Sequence, residues 1–155
     1  MRRLRKSGIA ALCSAALLAA ITGAHVQRAV ADDGLSAELT TNSPAYQVEI
    51  GDVTARVGEP AVLRAKLKIR DGYRILKAYN NRVHSLSTLD ESVAFERRSF
   101  LATVEGDSLV FYIALKATKP GKHVINGLIR VGYIQDPGEM SMVSMPLIAN
   151  VTGAQ

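Results

Sequence analysis

Residues 61–70 alternate between apolar and mostly basic side chains, and this pattern constrains the fold more than any other feature of the chain. Each odd position of the segment AVLRAKLKIR is apolar, and the even positions from 64 onward carry Arg64, Lys66, Lys68 and Arg70. Successive side chains of a β-strand point to opposite faces of a sheet, so the pattern predicts a strand with one buried and one solvated face. Similar alternation recurs at residues 109–116, 125–133 and 143–151.

Turn-forming residues separate these alternating segments. Glycine and proline lie at residues 58–60, 119–121 and 136–138, and Asp71–Gly72 follows the first segment. Weaker strands are predicted at residues 46–50, 53–57, 74–79, 93–98 and 100–105. Helical periodicity is absent from the sequence after residue 31. We therefore predict an all-β fold, an antiparallel immunoglobulin-like β-sandwich of about seven to eight strands.

The predicted domain occupies residues 46–155. Residues 32–45 are small and polar and contain Pro44, which favours a flexible N-terminal leader. Residues 80–92 form the longest predicted irregular connection, with room for one helical turn. Pro146 predicts that part of the last strand lies at a sheet edge, because proline cannot donate a ladder hydrogen bond.

The first 31 residues have the layout of a secretory signal peptide. A basic cluster at residues 2–6 precedes an apolar run over residues 8–24, and the triplet Ala29–Ala31 ends just before Asp32. We expect cleavage after Ala31 and a periplasmic or secreted mature protein. A lipid anchor at Cys13 is a less favoured alternative, because a leucine precedes the cysteine where a small residue is usual. No later apolar stretch approaches the roughly 20 residues of a membrane helix.

Removing the predicted signal peptide changes the charge of the chain. The full sequence has 19 basic and 14 acidic residues, and five of the basic ones lie in residues 1–31, so 19 − 5 = 14 remain against 14 acidic residues. A nucleic-acid partner is therefore not expected, since phosphate binding needs uncompensated Lys and Arg. The single cysteine also lies in the signal peptide, so the mature chain has no disulfide and no thiolate metal site.

A methionine cluster near the C-terminus is the candidate metal site. Met140, Met142 and Met145 are thioether residues that suit Cu(I), and His84 or His123 could complete the coordination. The alternative is that methionines of this segment fill gaps in the core. On a strand, Met140 and Met142 share one face and Met145 lies on the other, which opposes convergence on one ion.

Signals of catalysis are weak. The sequence has no G-x-S-x-G motif, phosphate loop or H-E-x-x-H motif, and nothing fixes a Ser/His/Asp geometry around His84. We predict that the chain is not an enzyme and that it needs no cofactor other than the candidate copper. Tyr73, Tyr79 and Tyr112 are candidates for a partner-binding face, since tyrosine combines apolar area with a polar tip.

Two regions of the sequence resemble a known family. Residues 57–60, the strand that follows and the turn at 71–75, together with the late turn at 119–121 and the strand ending in 133–136, are similar to periplasmic immunoglobulin-like domains of the thiol:disulfide interchange protein N-terminal type. The resemblance implies this fold and a cell-envelope location. It does not imply redox chemistry, because the first family cysteine falls at Asp136 and no later position supplies the second.

These observations favour an exported binding or accessory module that interacts with another envelope protein. Contact through a sheet edge or through residues 80–92 is the expected mode. The alternative is a soluble periplasmic copper-binding protein that uses the methionine cluster.

Overall fold

The computed structural model describes residues 41–155. The predicted signal peptide and residues 32–40 of the predicted leader lie outside the described residues. Residues 41–42 belong to the first strand and Ala45 is buried, so the described domain includes the end of the segment predicted as leader.

Two six-stranded sheets form the described domain. The strands of the first sheet are β1 (Thr41–Asn42), β2 (Tyr46–Ile50), β4 (Pro60–Ile69), β7 (Val93–Phe95), β9 (Thr103–Glu105) and β10 (Ser108–Ala117). They follow the order β1-β2-β4-β10-β7, and β9 also pairs with β10. The strands of the second sheet are β3 (Val53–Arg56), β5 (Tyr73–Ile75), β6 (Arg82–Thr88), β8 (Ser99–Leu101), β11 (Gly121–Gln135) and β12 (Glu139–Ala154). They follow the order β3-β12-β11-β6-β8, and β5 also pairs with β11.

The predicted β-sandwich is confirmed, with two differences in detail. Residues 41–155 form twelve strands instead of seven or eight, because several short strands of two or three residues fill the sheet margins. One pairing is parallel, since β3 runs alongside the last four residues of β12 in the same direction. All other strand pairs of the described domain are antiparallel.

The core lies between the two sheets, where the alternating segments place their apolar side chains. Leu63 and Leu67 of β4 face inward with Phe111 and Ile113 of β10, and all four are fully buried. Ile129 of β11 belongs to the same cluster from the opposite sheet. Residues 61–70 therefore alternate with a period of two because one face of the strand is buried, as the sequence predicts.

The prediction of an irregular connection at residues 80–92 is wrong. Residues 82–88 form β6, which lies between β11 and β8 inside the second sheet. A bulge interrupts the pairing of β6 with β11, and Ser85 there has a φ of 56°. Leu86 beyond the bulge is fully buried and packs above Gly127, where an added Cβ would lie 2.9 Å from a Leu86 methyl. The extra residue breaks the alternation of apolar and polar side chains, so a period of two does not predict this strand.

Candidate functional site

The open edge of β12 is the candidate site. On one side, β12 pairs with β11 from Glu139 to Gly153 without a break in register. On the other side, only residues 151–154 pair with a described strand, β3. Residues 139–150 therefore form a sheet edge in the described part of the chain. This position agrees with the edge that Pro146 predicts.

The backbone groups on this edge belong to the even-numbered residues of β12. In an antiparallel pair, every second residue directs its N–H and C=O away from the partner strand. The Asn150 N–H points outward, because it donates to Asp52 Oδ1 at 2.8 Å. Since the register with β11 is continuous, the same direction holds for Met140, Met142 and Ser144.

One half of the edge is blocked and the other half is open. Pro146 has no N–H to offer, and Asp52 accepts hydrogen bonds from both the backbone N–H and the Nδ2 of Asn150, each at 2.8 Å. Such devices protect sheet edges from unwanted pairing. Neither device covers Met140, Met142 or Ser144. The open half of the edge, defined here as residues 139–145, is long enough to accept one added strand of average length.

Apolar side chains accompany the open edge on the outer face of the second sheet. Met140 and Met142 are each 68% exposed. Across the ladder, Met142 lies opposite Gly132, and the Tyr79 ring covers that glycine so closely that an added Cβ would lie 2.9 Å from it. The outer face therefore presents two thioether side chains beside a tyrosine.

Asn81 holds this tyrosine segment in place. Its Oδ1 accepts a hydrogen bond from the Gly132 N–H at 2.8 Å, and its Nδ2 donates to the carbonyl oxygens of Leu76 and Tyr79. The strand predicted over residues 74–79 is shorter than expected. It ends at Ile75, because the following residues fold over β11.

Two arginines lie side by side on the same outer face. Arg130 of β11 is paired in register with Arg82 of β6 on one side and with Ser144 of β12 on the other. The Arg82 side chain donates to the Asn80 carbonyl oxygen, whereas the Arg130 side chain has no hydrogen bond or ion pair with another described residue. Strands β5, β6, β8 and β11 contain no acidic residue, and β12 contains only Glu139 at its start.

The outer face of the first sheet has a different charge arrangement. Its basic stripe on β4 is accompanied by carboxylates, with Arg64 3.9 Å from Glu105 and Lys68 3.7 Å from Asp107. The Ser108 hydroxyl donates to Asp107 at 3.0 Å and, together with the nearby Lys68, lowers the pKa of that carboxyl group. The first sheet thus compensates its own positive charge. In addition, β4 is an internal strand and not a sheet margin.

The residues of the predicted metal site do not come together around one point. Met140 and Met142 share the outer face, while Met145 is 4% exposed and belongs to the core, as the strand geometry predicts. His84 pairs with Leu128, which lies opposite Pro146, so it is two strands and four residues away from Met142. This corresponds to roughly 16 Å between backbones at about 4.8 Å per strand and 3.3 Å per residue.

His123 lies at the opposite end of β11, in register with Val151, and its Nε2 is 3.0 Å from the Lys119 carbonyl oxygen. The described residues contain no group of three or more His, Cys, Asp and Glu side chains suited to a metal ion. Copper binding stays a prediction, and the two outer thioethers of Met140 and Met142 are the ligands that the structure leaves adjacent.

The tyrosines predicted for a binding face have separate positions. Tyr79 lies beside the open edge, as described above. Tyr112 is on the outer face of the first sheet and donates to Glu105 at 2.8 Å. Tyr73 packs edge-on against Tyr133 with ring centroids 5.7 Å apart. Only one of the three therefore belongs to the candidate site.

Comparison with known proteins gives a similarity of fold. No protein-family model matches the chain, and no curated protein sequence matches it. Among solved structures, it is similar to the seventh ScaB type I cohesin from Pseudobacteroides cellulosolvens, with 14% identity and a TM-score of 0.42 over 68% of this chain and 89% of the cohesin.

Two further structures show comparable values. A type I cohesin–dockerin complex from Clostridium thermocellum has 16% identity and a TM-score of 0.40, covering 71% of this chain and 99% of the matched one. Murine CRIg has 9% identity and a TM-score of 0.40, covering 71% and 98%. These similarities concern the β-sandwich alone. They give no specific support to the resemblance to the thiol:disulfide interchange protein family.

No helix among residues 41–155 is long and apolar enough to cross a membrane.

Proposed function

We propose that this chain is an exported binding module that captures an extended segment of another envelope protein by adding it as a strand to the open edge of β12. The observation that carries this proposal is the pairing of β12, which is continuous on the β11 side and limited to residues 151–154 on the other. Unpaired N–H and C=O groups on an edge are a template for an incoming strand.

The features that prevent strand pairing cover only part of the β12 edge, which supports binding at the remaining part. Pro146 and the Asp52 cap on Asn150 block the half of the edge nearest to β3. Residues 139–145 have no such block and carry Met140 and Met142, whose flexible thioether side chains adapt to different partner surfaces. The stretch without these devices keeps its outward N–H and C=O groups available to an incoming strand.

The location in the cell envelope is part of the proposal and rests on the N-terminal sequence. The basic cluster, apolar run and Ala29–Ala31 triplet are typical of a signal peptide, and the described domain contains no cysteine that would need an oxidised or reduced state. A disulfide-free sandwich folds after export by packing alone.

The test compares two variants at Met142. Met142→Pro deletes an outward N–H of the edge and no hydrogen bond to β11, whereas Met142→Ala removes the side chain and keeps the N–H. The probe is a phage-displayed library of random 12-residue peptides, selected against the purified protein. We expect selected peptides to bind the alanine variant and to lose at least tenfold in affinity for the proline variant.

Circular dichroism and thermal unfolding of both variants show whether the sandwich is intact. Equal peptide affinity for the proline and alanine variants would contradict strand addition at this edge. A selection that enriches no peptide would contradict the proposed function itself.

A further inference from the structure

We infer that the segment captured by β12 carries an acidic residue opposite Ser144 and apolar residues opposite Met140 and Met142, and that Arg130 selects the acidic one. This inference rests on the proposed function and specifies the chemistry of the partner. Its basis is the side-chain pattern on the outer face of the second sheet, next to the open edge.

The register of β11, β12 and an added strand places Arg130 within reach of the partner. Arg130 lies directly opposite Ser144 in the ladder. A strand added to the open edge would run two strand spacings from β11, about 10 Å between backbones. Serine is small, so an arginine side chain can extend across it towards a carboxylate on the next strand. A larger residue at 144 would obstruct this path.

The charges around Arg130 favour an anion at that place. Arg130 is exposed and has no ion pair with a described residue, and its other neighbour in the ladder is Arg82. Like charges directly opposite each other destabilise a sheet. Since β6 and β11 contain no acidic residue, the described strands beside this pair supply no compensating carboxylate. A partner carboxylate would offset the repulsion and form a bidentate contact with the guanidinium.

The remaining two positions favour apolar side chains. Met140 and Met142 are mostly exposed on the same face, and the Tyr79 ring lies over Gly132 beside Met142. Side chains of an added strand that face outward would stand about 5 Å from these methionines and would cover them. The expected captured segment is thus an extended stretch with two alternate apolar residues followed or preceded, two positions away, by Asp or Glu.

The alternation of side chains along the added strand also defines which partner residues have little effect on binding. Every second side chain of the added strand would point towards the opposite side of the sheet edge, near Ser141 and Val143, which are partly buried. Small or β-branched residues fit there without a charge requirement.

The experiment uses peptides selected on the phage library described above. A selected peptide is synthesised in two forms, one with its acidic residue and one with lysine at that position, and the affinity of each is measured by calorimetry. For the natural protein we expect the acidic form to bind about fivefold more tightly, because an exposed ion pair contributes modestly and repulsion replaces it in the lysine form. Arg130→Glu should reverse the preference.

Lys122→Glu is the matched control, since it makes the same charge change on the outer face of β11 at the far end of the strand. It should leave the preference unchanged. If peptides bind in a manner lost in Met142→Pro but show no acidic preference and no response to Arg130→Glu, the inference is wrong and strand addition stands. If no peptide is sensitive to Met142→Pro, the proposed function fails first, and the inference fails with it.

Discussion

At the scale of single residues, Asn81 connects two parts of the candidate site. It is 7% exposed and joins the backbone of β11 to the segment that carries Tyr79, through three side-chain hydrogen bonds. Replacing it by alanine would leave the Gly132 N–H and two carbonyl oxygens without these partners. The two carbonyl oxygens keep their backbone donors, the N–H groups of Tyr79 and Asn81, but the buried Gly132 N–H loses its acceptor, which is costly.

We predict that Asn81→Ala lowers the free energy of unfolding by about 2–4 kcal/mol. Chemical denaturation followed by circular dichroism measures this change. Asn80→Ala is the control, because Asn80 is exposed and only its backbone carbonyl oxygen takes part in a hydrogen bond, from Arg82. Equal stability of the two variants would contradict the structural role of Asn81.

At the scale of elements, the Asp52 cap closes the edge of β12 between Pro146 and the pairing with β3. Asp52→Ala would free the outward N–H of Asn150 and remove two hydrogen bonds to a charged acceptor. We predict a loss of about 1–3 kcal/mol in the free energy of unfolding and stronger self-association, as a longer stretch of edge becomes available. Denaturation and size-exclusion chromatography at several concentrations measure the two effects.

Glu59→Ala serves as the control for this prediction. Glu59 is exposed and lies 3.9 Å from Arg56, so its removal should cost no more than about 0.5 kcal/mol. If Asp52→Ala behaves like Glu59→Ala in both measurements, the cap does not protect the edge.

The elements that the sequence predicts well are those with unbroken alternation. Residues 61–69 and 109–116 lie in β4 and β10, because burial of one face imposes a period of two on a regular strand. The strand β6 could not be predicted, since the bulge at Ser85 shifts its alternation and Gly127 on the neighbouring strand makes room for Leu86. That relation depends on contacts between distant parts of the chain.

The candidate site could be predicted only in part, because it also depends on contacts between distant parts of the chain. Pro146 indicates an edge, and the spacing of the methionines indicates which of them share a face. The Asp52 cap on Asn150 joins residues 98 positions apart, and the Arg82–Arg130 pair depends on the register of β6 against β11. No local pattern in the sequence predicts this hydrogen-bonded cap or this arginine pair.

At the scale of the whole molecule, export and processing are predictions of the N-terminal sequence. Expression of the full chain in a bacterial host should give a mature protein that begins at Asp32 and contains no thiol. Intact-mass measurement and N-terminal sequencing of the envelope fraction test this. Ala31→Arg should block cleavage and leave the signal peptide attached. Processing at another site, or the same processing in the variant, would contradict the prediction.

Amide hydrogen exchange followed by NMR shows whether the backbone edge of β12 is open in the free protein. We expect an alternating pattern of exchange rates along residues 140–144. The amides of Met140, Met142 and Ser144 exchange quickly because they point to the open edge, and those of Ser141 and Val143 exchange slowly because they pair with β11. Slow exchange at the three outward amides would show that this edge is already covered, and strand addition at β12 would then be wrong.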